Sequence, residues 1–241
     1  MTEPTMNEDQ NPLTKPKFII SAVVVALIVA LGIILALLPR GGGTPTAEPS
    51  NPGSATASTQ PSEAAAASVC GLPSGNQAKP ATTPTDTKWE LVGKIAAPTS
   101  PAHYGPGKTE ANGLRSCFAH SPTGALYAAA NISVLSATGK ARLVYEQLAV
   151  PSPERDALLN QPEPPETSAV TAQIAGFQIR SYDTDRSVIV IAAKGSNGAL
   201  VSVPVPLQWN GGDWKVVVPA TGSTGGGQLS DLSGFIPWSG V

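Results

Sequence analysis

Cys70 and Cys117 are the only cysteines of this 241-residue chain and the residues best able to form a covalent link. In an oxidising exterior they could pair as a disulfide, which would tie a Pro/Gly-rich stretch to the region before a helix. The alternative is two separate buried thiols. A metal site is disfavoured because no second cysteine or histidine lies at C-x-x-C or H-x-x-x-H spacing.

Catalytic chemistry has few candidates, because the chain contains two histidines, His103 and His120. His103 lies in a Pro/Gly-rich loop. His120 directly precedes a predicted helix, which favours a surface or boundary position over a role as general base. The sequence shows no G-x-S-x-G, H-E-x-x-H, P-loop or Rossmann glycine motif in the required context. We therefore predict a non-enzymatic protein without catalytic residues, metal or cofactor.

An uncharged apolar stretch, FIISAVVVALIVALGIILALL, occupies residues 18–38. A membrane-spanning helix needs ~20 apolar residues, whereas the apolar region of a cleaved signal peptide has ~7 to 15. The length predicts an uncleaved transmembrane helix, with the lipid bilayer as a partner. Lys15 and Lys17 precede the stretch and Arg40 follows it, which favours a cytoplasmic tail at residues 1–17 and a domain outside the cell membrane.

Residues 39–68 are rich in Pro, Gly, Ala, Ser and Thr and contain almost no large apolar side chains. Such a segment cannot bury enough surface to offset its conformational entropy, so we expect a disordered tether. The net charge of −2 gives no sign of an excess of Lys and Arg suited to nucleic acid. Direct binding of nucleic acid is therefore disfavoured.

The rest of the chain changes from a helical period to a strand period. Helical spacing, with capping by Ser121-Pro122 and Ser152-Pro153, predicts three helices at residues 121–137, 141–148 and 153–160. Alternation and turn residues predict four strands at residues 174–182, 187–194, 199–209 and 213–219. Residues 119–241 should therefore form an α+β domain of two or three helices packed on a four-stranded antiparallel meander. Residues 69–118 would be an irregular leader with one strand-like piece at 88–96.

Pro204 and Pro206 lie inside the third predicted strand. Each lacks the backbone N–H that a sheet ladder uses. We therefore expect that strand to be an edge or to carry a bulge at this point.

The C-terminal tail contains three large apolar residues, Phe235, Ile236 and Trp238, beyond the last predicted strand. They either fold back over the domain or present themselves to a partner. The second alternative makes them candidate partner-binding residues. Trp209 and Trp214 bracket the last predicted hairpin, where one or both are expected to anchor the core.

Thr123-Gly124-Ala125 opens the long helix, and WNGGDWKVVVP at residues 209–219 closes the predicted sheet. With the elements between them, these motifs resemble the cone-shaped nuclear-transport-factor-2-like fold over residues 89–219. With its N-terminal anchor, Pro-rich tether and GFIPW ending, the whole chain resembles small membrane proteins of actinobacterial integrative and conjugative elements. Those proteins are similar in plan to scaffold subunits of type IV secretion systems and to TcpC-like conjugal transfer proteins.

The resemblance implies a non-catalytic, membrane-anchored scaffold or assembly protein that contacts other envelope or secretion proteins and can form a homo-oligomer. A ligand-binding or enzymatic cone-shaped domain on the cell surface is an alternative, because such folds can hold a carboxylate base with a tyrosine as oxyanion donor. The candidates would be Asp183, Asp185, Tyr127 and Tyr182, although turn formation also accounts for both aspartates. Another alternative is a cell-envelope accessory protein of a transport system.

Overall fold

The computed structural model describes residues 66–162, 172–221 and 224–240, all within the second of the two units of the chain, Thr59–Val241. The predicted span at residues 18–38, with its tail and most of its tether, lies outside the described residues. Among the residues that are described, no helix combines the length and apolarity needed to cross a membrane.

Helices and antiparallel strands follow each other in the order of an α+β domain, which confirms the predicted class. In chain order they are β1 (Lys88–Val92), β2 (Ile95–Thr99), β3 (Lys108–Thr109), β4 (Arg115–Ser116), α1 (Pro122–Leu135), α2 (Ala141–Gln147), α3 (Pro153–Leu159), β5 (Ala172–Tyr182), β6 (Arg186–Gly195), β7 (Leu200–Asn210), β8 (Asp213–Val216), β9 (Gly227–Leu229) and β10 (Ile236–Pro237).

Helix α1 is the centre of the domain. Its start follows the predicted signal, because the Ser121 hydroxyl accepts a hydrogen bond from the Gly124 N–H at 3.0 Å and Pro122 occupies the first turn. Every residue of the helix except Ser133 is buried. The alanines therefore let neighbouring elements approach the helix closely on all sides. A turn at Ser136–Lys140, in which Gly139 has a φ of +83°, redirects the chain into α2.

One face of α1 packs on a six-stranded sheet with the order β10-β5-β6-β7-β8, in which β9 also pairs with β7. Strands β5 to β8 lie where four strands were predicted, but the sheet also includes the short strands β9 and β10, which were not predicted, so a four-stranded meander is not confirmed. Strand β8 pairs with Leu207–Asn210 of β7 and β9 pairs with 200–202. Strand β7 is therefore not an edge strand, because β6 lies on one side and β8 and β9 on the other. Within the described part, residues 203–206 have no strand partner on the β8–β9 side, so Pro204 and Pro206 lie at a local gap in the ladder, where the Pro206 carbonyl accepts the Val217 N–H at 2.9 Å.

The leader is more regular than the sequence predicts, because residues 88–99 form a β-hairpin rather than one strand-like piece. Gly93, with a φ of +61°, permits the tight turn that separates β1 from β2. All of β2 is buried, and Ile95 and Ala97 join the hydrophobic core together with α1. The helix is thus covered by the sheet and by this hairpin. The pattern of apolar residues in the leader did not predict this packing.

The C-terminal tail folds back onto the domain, which is one of the two predicted alternatives. Strand β10 pairs with β5, where Ile236 lies opposite Phe177. Trp238 is 2% exposed, and its ring lies 5.1 Å from that of Trp89, measured between ring centroids. Phe235 and Ile236 are half-buried, so contact of these two side chains with a partner protein stays a prediction. Trp238, in contrast, packs inside the domain.

Cys70 and Cys117 form the disulfide that the sequence offered as one of its alternatives. The bridge spans 47 residues of chain and fixes the start of the described domain beside the segment that leads into α1. Cys117 has a φ of +67°, an uncommon conformation for a residue with a side chain. The Asp213 carboxylate holds this conformation by accepting the Cys117 N–H at 2.7 Å.

Candidate functional site

A cavity of about 440 Å³ lies between the C-terminal half of α1, helices α2 and α3, and strands β5 to β7. Its walls are mainly aliphatic because the buried faces of these elements carry Ile and Val. The side chains that define it include Ile132, Val144, Ile174, Ile191 and Val203. A cavity of this size falls in the range of ~300–1,000 Å³ that is usual for small-molecule sites.

None of the described residues that line the cavity is Asp, Glu, Lys, Arg, His or Cys. Two polar side chains in its wall are used inside the domain. The Ser133 hydroxyl donates to the Ala129 carbonyl at 2.8 Å, and the Gln173 amide accepts from the Ala96 N–H and donates to the Lys94 carbonyl. The wall therefore offers apolar contact and no group for acid–base chemistry.

Three further side chains at the cavity, Ser136, Tyr145 and Thr224, carry hydroxyls. In the described part of the chain these hydroxyls form no hydrogen bond with another residue. They are the polar groups at the cavity that a ligand could use. The sequence did not single them out, because Ser136 lies in the turn after α1, Tyr145 in α2 and Thr224 before β9, and only the tertiary fold brings these segments to one cavity.

The four residues that the enzymatic alternative requires do not line the cavity. Asp183 and Asp185 lie at the β5–β6 turn, where an Asp183 carboxylate oxygen accepts the N–H groups of Asp185 and Arg186 at 3.0 and 2.7 Å. Asp183 thus caps its own turn, the role that turn formation predicts for it. Tyr182 donates its hydroxyl to the Gln77 side chain at 2.8 Å. Burial, with a contribution from Asp183, raises the pKa of Tyr182 to about 12.

Tyr127 is fully buried in α1 and has one assigned partner for its hydroxyl. The Thr87 hydroxyl donates to the Pro84 carbonyl at 2.8 Å, so the Tyr127 hydroxyl must be the donor in its 2.7 Å bond to Thr87. Burial raises the pKa of Tyr127 to about 12, although the bond to Thr87 acts in the opposite direction. At neutral pH this tyrosine is a protonated, structural donor.

His120 precedes α1 as predicted, but it is buried rather than at the surface. Its ring stacks on Trp209 with 3.8 Å between centroids and parallel planes. Its two ring nitrogens face the backbone carbonyls of Ala66 and Thr184. These partners are distant in sequence, so the local pattern around His120 could not indicate its burial. His103 is exposed in its loop.

Asp213 is a buried carboxylate that the sequence analysis did not single out. It accepts three backbone N–H groups, from Cys117, Phe118 and Trp214, at 2.7 to 2.9 Å. Burial raises its pKa above the usual 3.8, and the three N–H groups oppose that shift. Its contacts show that it positions the segment before α1. No group of His, Cys, Asp or Glu in the described residues could hold a metal ion.

The fold and the site together define a disulfide-linked α+β domain with an apolar cavity between its helices and its sheet. Residues 49–237 match the family described as Domain of unknown function (DUF8175), and the chain belongs to this family. Comparison with curated proteins and with solved structures gave no match.

Proposed function

We propose that this protein is a non-catalytic, membrane-anchored scaffold or assembly protein whose domain lies outside the cell and binds envelope proteins. We further propose that it serves a conjugative transfer or type IV secretion apparatus and that its domain belongs to the cone-shaped nuclear-transport-factor-2-like fold. A long helix cradled by antiparallel strands supports that fold. The resemblance of the anchor, tether and ending supports the system.

The observation that carries the proposal is the chemistry of the cavity wall. Enzymes need positioned groups that transfer protons or stabilise charge, and the described wall offers aliphatic side chains and three hydroxyls instead. The described wall therefore supports a non-catalytic role. The disulfide supports a location outside the cytoplasm, because such bridges persist in oxidising compartments.

Photo-crosslinking in cells tests the partner contact. A photoreactive amino acid at Phe235, which is half-buried at the tail, should capture envelope or secretion proteins on illumination. The matched control carries the same amino acid at exposed Lys79. Recovery of no envelope protein from position 235, or of the same set from both positions, would contradict a specific scaffold.

The cavity also favours a second candidate function, a ligand-binding domain displayed on the cell surface. An apolar wall with few polar groups is the usual composition of small-molecule sites. Failure to capture any protein, combined with tight binding of a small molecule, would favour this candidate over the scaffold.

A further inference from the structure

The cavity lies at the end of α1 that is remote from the point where the chain enters the described domain. Ala66 lies beside His120, two residues before α1. The cavity contacts α1 from Ile132 onward. Ten residues of α1, from Pro122 to Ile132, separate the two places by about 15 Å at helical rise. The cavity and Ala66 therefore lie toward opposite ends of α1.

The volume of the cavity and the apolar side chains of its wall indicate the size and chemistry of the apolar part of a ligand. Apolar cavities of ~150 Å³ stay free of water and bind molecules such as benzene. This cavity, at about 440 Å³, is nearly three times as large. A methylene group needs about as much room as a water molecule in the liquid, roughly 30 Å³, so an aliphatic chain of about fifteen carbons would fill it.

The free hydroxyls specify the polar end of the ligand. Tyr145, Ser136 and Thr224 can donate hydrogen bonds to carbonyl oxygens, and the described wall contains no Lys, Arg or His to neutralise a carboxylate. Ser136 and Tyr145 are half-buried, so an ionised group held beside them without a counter-charge would lose part of its hydration at a cost. The site therefore suits an ester better than a free acid.

A peptide strand fits this site less well than an aliphatic chain. The edge of β7 beside the cavity, at residues 203–206, has no strand partner on its outer side within the described part. Strand addition there would use backbone donors, and Pro204 and Pro206 have none. The two prolines therefore disfavour pairing of this edge with a strand of another chain.

We propose that the cavity binds one ester-linked fatty acyl chain of a lipid. The aliphatic tail lies among Ile132, Ile191 and Val203, and the ester oxygens accept hydrogen bonds from the hydroxyls of Tyr145 and Ser136. This inference goes beyond the scaffold proposal and holds or fails separately from it, because its test measures lipid and not protein capture.

The test uses the full chain in cells that have incorporated a diazirine-labelled fatty acid into their lipids. After illumination, peptide mass spectrometry should find lipid adducts on peptides covering residues 132–145 and 200–205. Adducts on the predicted span at residues 18–38 serve as the internal control for labelling. The mass of the cavity adduct should correspond to an esterified lipid.

Ala193→Trp places a large ring in the cavity, since Ala193 lines its wall, and should abolish the cavity adducts while the span adducts persist. The matched control, Ala78→Trp, changes an exposed alanine of the leader and should leave both sets unchanged. If Ala193→Trp does not fold, Val203→Thr is the variant to use. It keeps the β-branched shape, adds a hydroxyl to the wall and should reduce the cavity adducts. Adducts confined to the span, or cavity adducts of free acid alone, would overturn the assignment.

Discussion

Trp238 packs against Trp89 with 5.1 Å between ring centroids and an angle of 59° between the ring planes. The contact joins the C-terminal tail to the hairpin β1–β2. A Cβ atom on Gly240 would lie 2.5 Å from the Trp89 ring, so the tail beyond Trp238 also lies against this ring. The Trp238 indole N–H donates to the Thr87 hydroxyl at 3.3 Å. The tail is therefore part of the core.

Replacement of Trp238 by alanine should lower the free energy of unfolding by about 3–5 kcal/mol, because it removes a buried indole and leaves a cavity. Chemical denaturation of the full chain measures the loss. Phe235→Ala is the matched control and should cost clearly less, since Phe235 is only half-buried. Equal losses for the two variants would show that Trp238 is not the anchor of the tail.

Gly124 is required by a close backbone approach at the start of α1. A Cβ atom there would lie 1.9 Å from the Ala119 carbonyl oxygen, a backbone atom that cannot move aside easily. We expect Gly124→Ala to destabilise the protein by about 1–3 kcal/mol or more, despite the higher helix propensity of alanine. Gly227→Ala is the control, because a Cβ there meets nothing within 4 Å. A stabilised Gly124→Ala variant would refute the close approach.

The disulfide should make the stability of the domain sensitive to reduction. A bridge that closes a 47-residue separation restricts the unfolded chain, which is worth about 4 kcal/mol on the chain-entropy model. A reductant should therefore lower the Tm of the native protein. The variant with both Cys70→Ser and Cys117→Ser should start from the lower Tm and show no response. A Tm of the native protein that is unchanged by full reduction would disprove the stabilising role.

Local sequence signals predicted those parts of the fold that depend on local contacts. Ser121 and Pro122 start α1 through bonds within one turn, and Asp183 caps its own turn, so neighbouring residues were sufficient. Trp238 and His120 were less predictable. Their partners, Trp89 for one and the carbonyls of Ala66 and Thr184 for the other, are brought near only by the tertiary fold.

The cavity could not be predicted for the same physical reason. The apolar period of each strand and helix indicated which faces are buried, but not whether those faces meet or leave a space between them. The β-hairpin at residues 88–99 was missed because a strand buried on both faces shows no alternation. Its only local signal was Gly93, which can adopt the positive φ of the turn.

Asp213 gives the stability of the protein a pH dependence of known sign. Because burial raises its folded-state pKa above 3.8, the folded protein binds this proton more tightly than the unfolded chain does. The contribution of protonated Asp213 to stability is fully present below the pKa that this side chain has in the unfolded chain. It is lost as the pH rises through the pKa of Asp213 in the folded protein. Denaturation between about pH 3 and 7 should therefore show native Asp213 losing stability relative to Asp213→Asn as the pH rises. The opposite slope would mean that the three N–H bonds outweigh burial.

We propose that the described domain lies outside the membrane, held there by the predicted span at residues 18–38. Alkaline phosphatase, which is active only after export, can be fused after Val241 in the full chain and after Lys17 in a matched control. We expect an active enzyme at Val241 and an inactive one at Lys17. An inactive phosphatase at Val241, together with an active cytoplasmic reporter at the same position, would contradict it.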